Sequence, residues 1–117
     1  MMNGVPKITT HVLDTSSGGP AAGVAVALEV RREGEWEPVG EGVTGADGRS
    51  GELVPAGARV ENAVYRIRFG SGAYFAASGV RSFYPEVDVQ FEIVDPGEHH
   101  HVPLLLSPFG YSTYRGT

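Results

Sequence analysis

Residues 99–117 read HHHVPLLLSPFGYSTYRGT, an apolar run with histidines before it and small and aromatic residues after it. In an extended chain, one face of this run collects its apolar residues, Val102, Leu104 and Leu106. The opposite face carries His99 and His101. The Ser-Pro-Phe-Gly segment that follows is typical of a tight turn. The stretch therefore predicts a hairpin of two strands, with one face for the core and one face that carries imidazoles.

Five earlier segments alternate between apolar and polar residues with the period of a strand. They are residues 7–14, 24–30, 36–43, 61–69 and 87–93. Residues 71–78 are the only segment for which we expect a helix, with Gly79 at its carboxyl-terminal end. Glycine and proline, at 17 and 8 of the 117 residues, separate these segments. About seven or eight strands joined by turns predict an all-β fold, an antiparallel β-sandwich with one short helix.

The composition excludes several classes of function. A formal net charge of −5 and a pI near 5.2 argue against binding to nucleic acid, which requires a basic surface. The absence of cysteine excludes disulfides and thiolate chemistry. Neither a signal peptide nor a transmembrane segment is expected, so we expect a cytoplasmic protein without a membrane partner. The length is that of one domain, which we predict over residues 1–117.

The alternation also predicts a functional surface on the sheet that contains the hairpin. His11 points away from the apolar side of its own strand, as His101 does in the hairpin. Ser112 and Tyr114 do the same in the last strand. If these three strands lie in one sheet, its outer face carries imidazoles, a hydroxyl and a phenol, which favours a site. Because such a face is nearly flat, we expect a second copy of the chain to cover it and complete a pocket.

Other interpretations of these residues stay open. His11, His99 and His101 are of the type that chelates zinc, yet no carboxylate or thiolate ligand is evident, and neither a metal nor another cofactor is predicted. His100 falls on the apolar face of its strand and is expected to pack at the edge of the core. Arg49 follows an Ala-Asp-Gly turn, and an arginine in a turn is usually solvated and inert.

Residues 99–117 resemble the carboxyl-terminal signature of the transthyretin-related 5-hydroxyisourate hydrolases, which usually reads HYHVPLLLSPxGYSTYRGS. Other stretches agree with the family pattern in the same order. They are HVLDT at 11–15 with GPA at 19–21, TGADGR at 44–49, and FYPEV at 83–87. The chain departs from the pattern at His100, where an aromatic is common, at Gly45, commonly Asn, and at Thr117, commonly Ser.

The resemblance implies a prealbumin-like sandwich of two four-stranded sheets in a single hydrolase domain, and a homotetramer with sites between its subunits. The implied reaction opens a ring amide of 5-hydroxyisourate, a small purine-derived molecule, in urate catabolism. Histidine-activated water would attack the ring, with His11 and His101 as proton-handling groups and Arg49 as the polarising group. The implied substrate-binding residues are His99, Ser112, Tyr114, Arg115, Gly116 and Thr117. Which histidine acts as the general base stays open.

Two other classes of protein compete with this interpretation. One is a non-catalytic transthyretin-like protein that binds a small ligand with the same sandwich. The other is a generic sandwich module for adhesion or protein interaction, for which histidines on a covered face have no use. His11, Arg49, His101 and the Tyr-Arg-Gly ending belong to the hydrolase pattern, and they favour the enzyme.

Overall fold

Two β-sheets pack face to face in the structure, a computed structural model that describes residues 7–117. The strands are β1 (Ile8–Asp14), β2 (Gly19–Pro20), β3 (Ala25–Arg32), β4 (Glu35–Val43), β5 (Ala63–Phe69), β6 (Val87–Ile93), β7 (His100–Ser107) and β8 (Gly110–Thr113), and the helix α1 spans Ser71–Ala77. The first sheet has the order β2-β1-β7-β8, and the second has the order β4-β3-β5-β6. The predicted sandwich of two four-stranded sheets with one short helix is confirmed. The expectation about a signal peptide concerns amino-terminal residues that lie outside the described range.

One strand pair differs from the antiparallel pairing that the sequence predicts. Strands β1 and β7 run parallel, with Ile8 beside His100 and Asp14 beside Leu106, whereas the other strand pairs are antiparallel. Parallel strands cannot be joined by a tight turn. The chain instead leaves β1, forms the short β2 and then the whole second sheet, and returns in the same direction as β7. Apolar and polar residues alternate in the same way in parallel and in antiparallel strands. The alternation therefore could not indicate that β1 and β7 run parallel.

The inner faces of the sheets form one hydrophobic core, as the alternation predicts. Burial in β1 alternates strictly, with Ile8 and Val12 fully buried. The largest fully buried side chains of the core include Tyr65 and Phe69. Burying an aliphatic or aromatic side chain of this size stabilises the fold by about 1.5–3 kcal/mol. The large apolar residues are thus drawn to the interior, and the outer face of the first sheet carries the polar residues Thr9, His11 and His101.

Residues 48–53 run along the edge of β1 that β7 does not occupy. The amide of Val12 donates to the carbonyl of Gly48 at 2.8 Å, and the amide of Leu53 donates to the carbonyl of Ile8 at 3.1 Å. Gly48 has a φ of +81°, and a Cβ atom there would lie 2.4 Å from the Val12 carbonyl oxygen. Only glycine tolerates both conditions. The turn therefore lies flat against β1 and delivers the residue that follows it to the outer face.

Helix α1 joins β5 to β6 and is fastened to the first sheet. Phe75 is buried, and the Tyr74 hydroxyl donates to the carboxylate of Asp14 at 2.8 Å. The predicted stop is confirmed, because Gly79 has a φ of +70° and its amide donates to the carbonyl of Ala76 at 2.9 Å. Within residues 7–117, α1 included, no helix has the length and apolar character to cross a membrane.

Candidate active site

A cavity of about 370 Å³ opens on the outer face of the first sheet. It is lined by Thr9, Thr10, Arg49, Gly51, His99, His101 and Thr117. The structure therefore brings together four of the predicted site residues from three distant parts of the sequence. No aspartate or glutamate is among the lining residues, so the arginine and the imidazoles set the electrostatic character of the cavity. Such a lining suits an oxygen-rich or anionic ligand.

The parallel pairing of β1 with β7 builds the floor of this cavity. Thr9 lies directly beside His101 in the register of the two strands. The Thr9 hydroxyl oxygen is 2.8 Å from Nδ1 of His101 and 2.9 Å from Nε2 of His99. The two imidazole rings are 6.1 Å apart between centroids. One threonine hydroxyl thus connects both histidines of the predicted imidazole face.

Arg49 reaches the cavity from the turn that lies on β1. Its backbone forms an isolated antiparallel bridge with His11, and its amide donates to a carboxylate oxygen of Asp47 at 2.9 Å. The guanidinium has no hydrogen-bond or ion-pair partner in residues 7–117. Its planar array of N–H donors therefore remains available for ligand oxygens.

The surroundings of His101 favour its neutral form. Burial of the half-buried ring is the largest effect that lowers its pKa below 6.5, followed by the positive charges of Arg49, His99 and His11. A hydrogen bond to the backbone of Thr9 acts weakly in the opposite direction. His101 is therefore unprotonated near neutral pH, the state in which an imidazole can accept a proton.

His11 lies next to the cavity, and its tautomer is fixed. Its Nε2 is 2.9 Å from the carbonyl oxygen of Asp47, which can only accept a hydrogen bond, so Nε2 carries the proton. A neutral His11 therefore has its lone pair on Nδ1. The ring does not line the cavity itself, yet its charge lowers the pKa of His101.

The tail after β8 turns back over the site. The amide of Gly116 donates to the His101 carbonyl at 2.8 Å, and a guanidinium nitrogen of Arg115 lies 3.1 Å from a carboxylate oxygen of Glu98. These contacts bring Thr117 to the cavity. They also hold the last residues of the chain against the sheet.

Other predicted site residues lie away from this cavity within one subunit. Ser112 is exposed on β8, and Tyr114 and Arg115 line a second cavity of about 230 Å³ that His100 also borders. His100 is 6% exposed, as expected of a residue at the edge of the core. Its buried Nδ1 has no hydrogen-bond partner in residues 7–117.

Three lining residues were not among the predicted site residues: Thr9, Thr10 and Gly51. Alternation already put Thr9 on the same face as His11, two positions away, and this was the available signal. Thr10 and Gly51 gave no signal, since their access to the cavity depends on how residues 48–53 lie along β1. Within the described part of the chain, no group of three His, Cys, Asp or Glu side chains is arranged to hold a metal ion.

Comparison with known proteins places this chain in a family. The HIUase/Transthyretin family matches residues 8–116. This chain belongs to that family. Among its relatives, the 5-hydroxyisourate hydrolase of Halalkalibacterium halodurans is 47% identical over 116 residues, which cover 95% of this chain and 98% of the relative. The resemblance drawn from residues 99–117 is confirmed.

Solved structures of the HIUase/Transthyretin family share the fold. The 5-hydroxyisourate hydrolase of Klebsiella pneumoniae superposes with a TM-score of 0.80 at 40% identity, covering 94% of this chain and 98% of its own. Transthyretin from Sparus aurata superposes with a TM-score of 0.89 at 31% identity, covering 96% and 97%. The backbone therefore resembles both branches of the family, and the choice between them depends on sequence identity and on the site.

Proposed function

We propose that this chain hydrolyses 5-hydroxyisourate in purine catabolism, with residues 1–117 acting as one catalytic domain. The observation that carries the proposal is the position of Arg49 and a neutral, half-buried His101 in one cavity. Relatives that are named 5-hydroxyisourate hydrolases, among them one at 47% identity over most of the chain, support the choice of substrate. We expect the protein to act in the cytoplasm, which stays a prediction.

The first step of the proposed reaction is attack of water on a ring carbonyl carbon. Nε2 of His101 removes a proton from the water as its oxygen bonds to that carbon. A histidine with a pKa below 6.5 is already unprotonated near neutral pH and can act without first losing a proton. General acid–base groups of this type contribute about 10²–10⁴ in rate.

The second step is collapse of the tetrahedral intermediate. The carbonyl oxygen becomes an oxyanion during the first step, and the Arg49 guanidinium donates hydrogen bonds to it until the collapse. The absence of acidic side chains in the cavity lining preserves that attraction. The ring C–N bond then breaks, and the proton held by His101 passes to the leaving nitrogen. We assign His11, whose Nε2 is held by the Asp47 carbonyl and whose lone pair is on Nδ1, to assist in moving protons.

We also propose that the protein is a homotetramer with each site between subunits. The histidine face of one subunit is open, with His99 and Arg49 exposed. Strands β8 and β6 are edge strands of their sheets, and further strands can pair with such edges. Phe83, Phe109 and Tyr111 are exposed aromatic side chains of the size that interfaces bury, and Tyr111 stacks edge-on against Tyr84. A second subunit would cover the face and give the substrate an enclosed pocket.

The decisive experiment follows the ultraviolet absorbance of freshly generated 5-hydroxyisourate with and without the protein. We expect the decay to be accelerated by the wild type and to lose about 10²–10⁴ of that acceleration in His101→Asn. Light scattering of both proteins shows whether the assembly is unchanged. Decay no faster than the spontaneous reaction would instead favour a small-ligand binder, the alternative that the close superposition with transthyretin supports. A fully active monomer would contradict the shared site.

A further inference from the structure

The hydroxyl of Thr9 stands between the two imidazoles of the cavity. It contacts Nδ1 of His101 at 2.8 Å and Nε2 of His99 at 2.9 Å, and both distances are those of normal hydrogen bonds. Thr9 is on β1 and both histidines are on or beside β7, so the contact depends on the parallel register of these strands. Thr9 was not among the residues that the sequence predicts for the site.

Proton counting restricts the states of this triad. A threonine hydroxyl has one proton to donate and two lone pairs that accept. If both contacts are hydrogen bonds, at least one of the two facing imidazole nitrogens must carry a proton and donate to Thr9. The tautomer of one histidine therefore restricts the tautomer of the other.

The available nitrogens favour one arrangement. Nδ1 of His101 is occupied by Thr9, whereas Nε2 has no hydrogen-bond partner within residues 7–117 and is left for a ligand. When Nδ1 carries the proton and donates to Thr9, the lone pair of neutral His101 lies on Nε2. The Thr9 proton then points to Nε2 of His99, which accepts it.

We propose that Thr9 is a positioning residue that holds the proton of His101 on Nδ1 and so makes Nε2 the basic atom. The catalytic meaning of this inference rests on the proposed hydrolase function, whereas the tautomer itself does not. The nitrogen that a histidine leaves free is generally set by the hydrogen bond of the other nitrogen. In this site the partner of Nδ1 is the neutral hydroxyl of Thr9. Because the same hydroxyl contacts His99, the protonation of His99 affects the tautomer of His101.

The coupling has a chemical consequence for His99. A protonated His99 carries a proton on Nε2 and must donate to Thr9, so the Thr9 hydroxyl can no longer donate to it. The hydroxyl proton is then free to turn toward Nδ1 of His101, which favours the tautomer with no lone pair on Nε2. His99 therefore regulates the basic atom of His101 without touching it. Arg49 and His11 are the other charged or titratable groups whose charges act on His101.

The test compares Thr9→Val, which keeps the shape and removes the hydroxyl, with Thr9→Ser, which restores it. ¹⁵N NMR of the imidazole nitrogens, assigned with His101→Asn and His99→Asn, reports the tautomer of each ring in the intact protein. We expect Nδ1–H on His101 in the wild type and in Thr9→Ser, and a mixture or the other tautomer in Thr9→Val. Thr15→Val is the matched control, because Thr15 donates to the Leu106 carbonyl at 3.2 Å at the far end of β1.

Steady-state kinetics adds a second test, because a loss of kcat without a change in KM is not expected from a purely structural role of Thr9. With 5-hydroxyisourate, we expect Thr9→Val to lower kcat by roughly 10- to 100-fold, by analogy with groups that orient metal-binding histidines, with KM within about twofold. Thr9→Ser should recover most of this loss, and Thr15→Val should match the wild type.

The two kinds of failure are distinguishable. If Thr9→Val keeps the wild-type tautomer of His101 and the wild-type kcat, the positioning role is wrong even though the enzyme is active. If the wild type does not accelerate the decay of 5-hydroxyisourate, the proposed function is wrong, and the NMR comparison still decides whether Thr9 sets the tautomer. Loss of kcat in Thr9→Ser as large as in Thr9→Val would also overturn the inference, because the hydroxyl would then not be the cause.

Discussion

The backbone amide of Gly116 donates a hydrogen bond to the carbonyl oxygen of His101 at 2.8 Å. A Cβ atom at position 116 would lie 2.7 Å from Cδ2 of the His101 ring and 3.2 Å from Cγ of Pro103. Because carbon atoms in good contact stay about 3.5–4.0 Å apart, a single methyl group would displace either the ring or the tail. The absence of a side chain at Gly116 therefore helps to keep the His101 ring in its orientation.

Gly116→Ala should separate activity from stability. We expect kcat for 5-hydroxyisourate to fall by about tenfold or more, since small misplacements of a reacting group carry large kinetic costs. The free energy of unfolding should change by less than about 1 kcal/mol, because the tail lies outside the core. Steady-state kinetics and urea unfolding at one protein concentration measure the two effects.

The control for this variant is Gly110→Ala. A Cβ atom at Gly110 would meet only the Ser107 hydroxyl oxygen, at an ordinary 3.8 Å. It should therefore be tolerated with nearly wild-type kcat. Equal activity in Gly116→Ala and Gly110→Ala would mean that the close approach to His101 has no bearing on catalysis.

The pH dependence of kcat/KM should report the lowered pKa of His101. A base must be unprotonated, so activity should be constant near pH 7 and fall as the pH drops through a midpoint below 6.5. Burial and the charges of Arg49, His99 and His11 all push the midpoint in this direction. In Arg49→Gln, which removes one of these charges, the midpoint should move up towards 6.5 even though the overall rate is lower.

The predicted pH dependence would be contradicted by a wild-type midpoint above 6.5, or by an unchanged midpoint in Arg49→Gln. The first outcome would mean that the titrating group is not a histidine with these surroundings. The second would mean that the charge at position 49 does not act on the group that limits the rate.

Tyr74→Phe should lower stability and leave catalysis alone. Burial alone would raise the pKa of Asp14, but hydrogen bonds from Ser16, Tyr74 and Ser17 outweigh it and hold that pKa below 3.8. Since hydrogen bonds to charged groups contribute about 1.5–3 kcal/mol, we expect a loss of roughly 1–2 kcal/mol at pH 7 for this half-buried pair. A group with a lowered folded pKa stabilises above its unfolded pKa, so the difference from wild type should shrink as the pH falls below 3.8.

Urea unfolding of wild type and Tyr74→Phe at pH 7 and at acid pH measures this difference, at a fixed protein concentration. Turnover below the unfolding temperature serves as the control and should be unchanged. A pH-independent difference would show that packing of the ring, and not the contact with Asp14, accounts for the loss.

Side-chain alternation predicted the strands and their buried faces well because burial is what alternation reports. Ile8 and Val12 in β1, like Leu104 and Leu106 in β7, had to face the core whatever strand lay beside them. The same reasoning placed His101 on the outer face, where the cavity lies.

What alternation could not predict is which outer residues become neighbours. Thr9 contacts His101 only because β1 and β7 are parallel and in a particular register, and that register depends on packing of the complete sandwich. Arg49 illustrates a second limit. A turn arginine looks solvated in the sequence, and it reaches the cavity because Gly48 lets its turn lie against β1. The resemblance to a known family, and not periodicity, singled it out.

Removal of residues 114–117 is the strongest test of the tail. The deletion eliminates the Gly116–His101 hydrogen bond, the contact of Arg115 with Glu98, and Thr117 at the cavity. We expect turnover of 5-hydroxyisourate to fall by at least about 100-fold, because the removed groups hold or line the site. Stability should fall little, since an exposed ion pair contributes about 0–1 kcal/mol and Tyr114 is 57% exposed.

Thr117→Ser is the matched control for the deletion. It keeps a hydroxyl with the same donor and acceptor capacity and removes only the methyl group that stiffens χ1, so turnover should stay within about twofold of wild type. Kinetics, circular dichroism and light scattering on the three proteins distinguish a lost site from a lost fold or assembly. A truncated protein that is folded and hydrolyses 5-hydroxyisourate at the full rate would show that the tail takes no part in catalysis. The most specific part of the family signature would then serve the structure alone, and the site would reduce to Arg49 and the histidines.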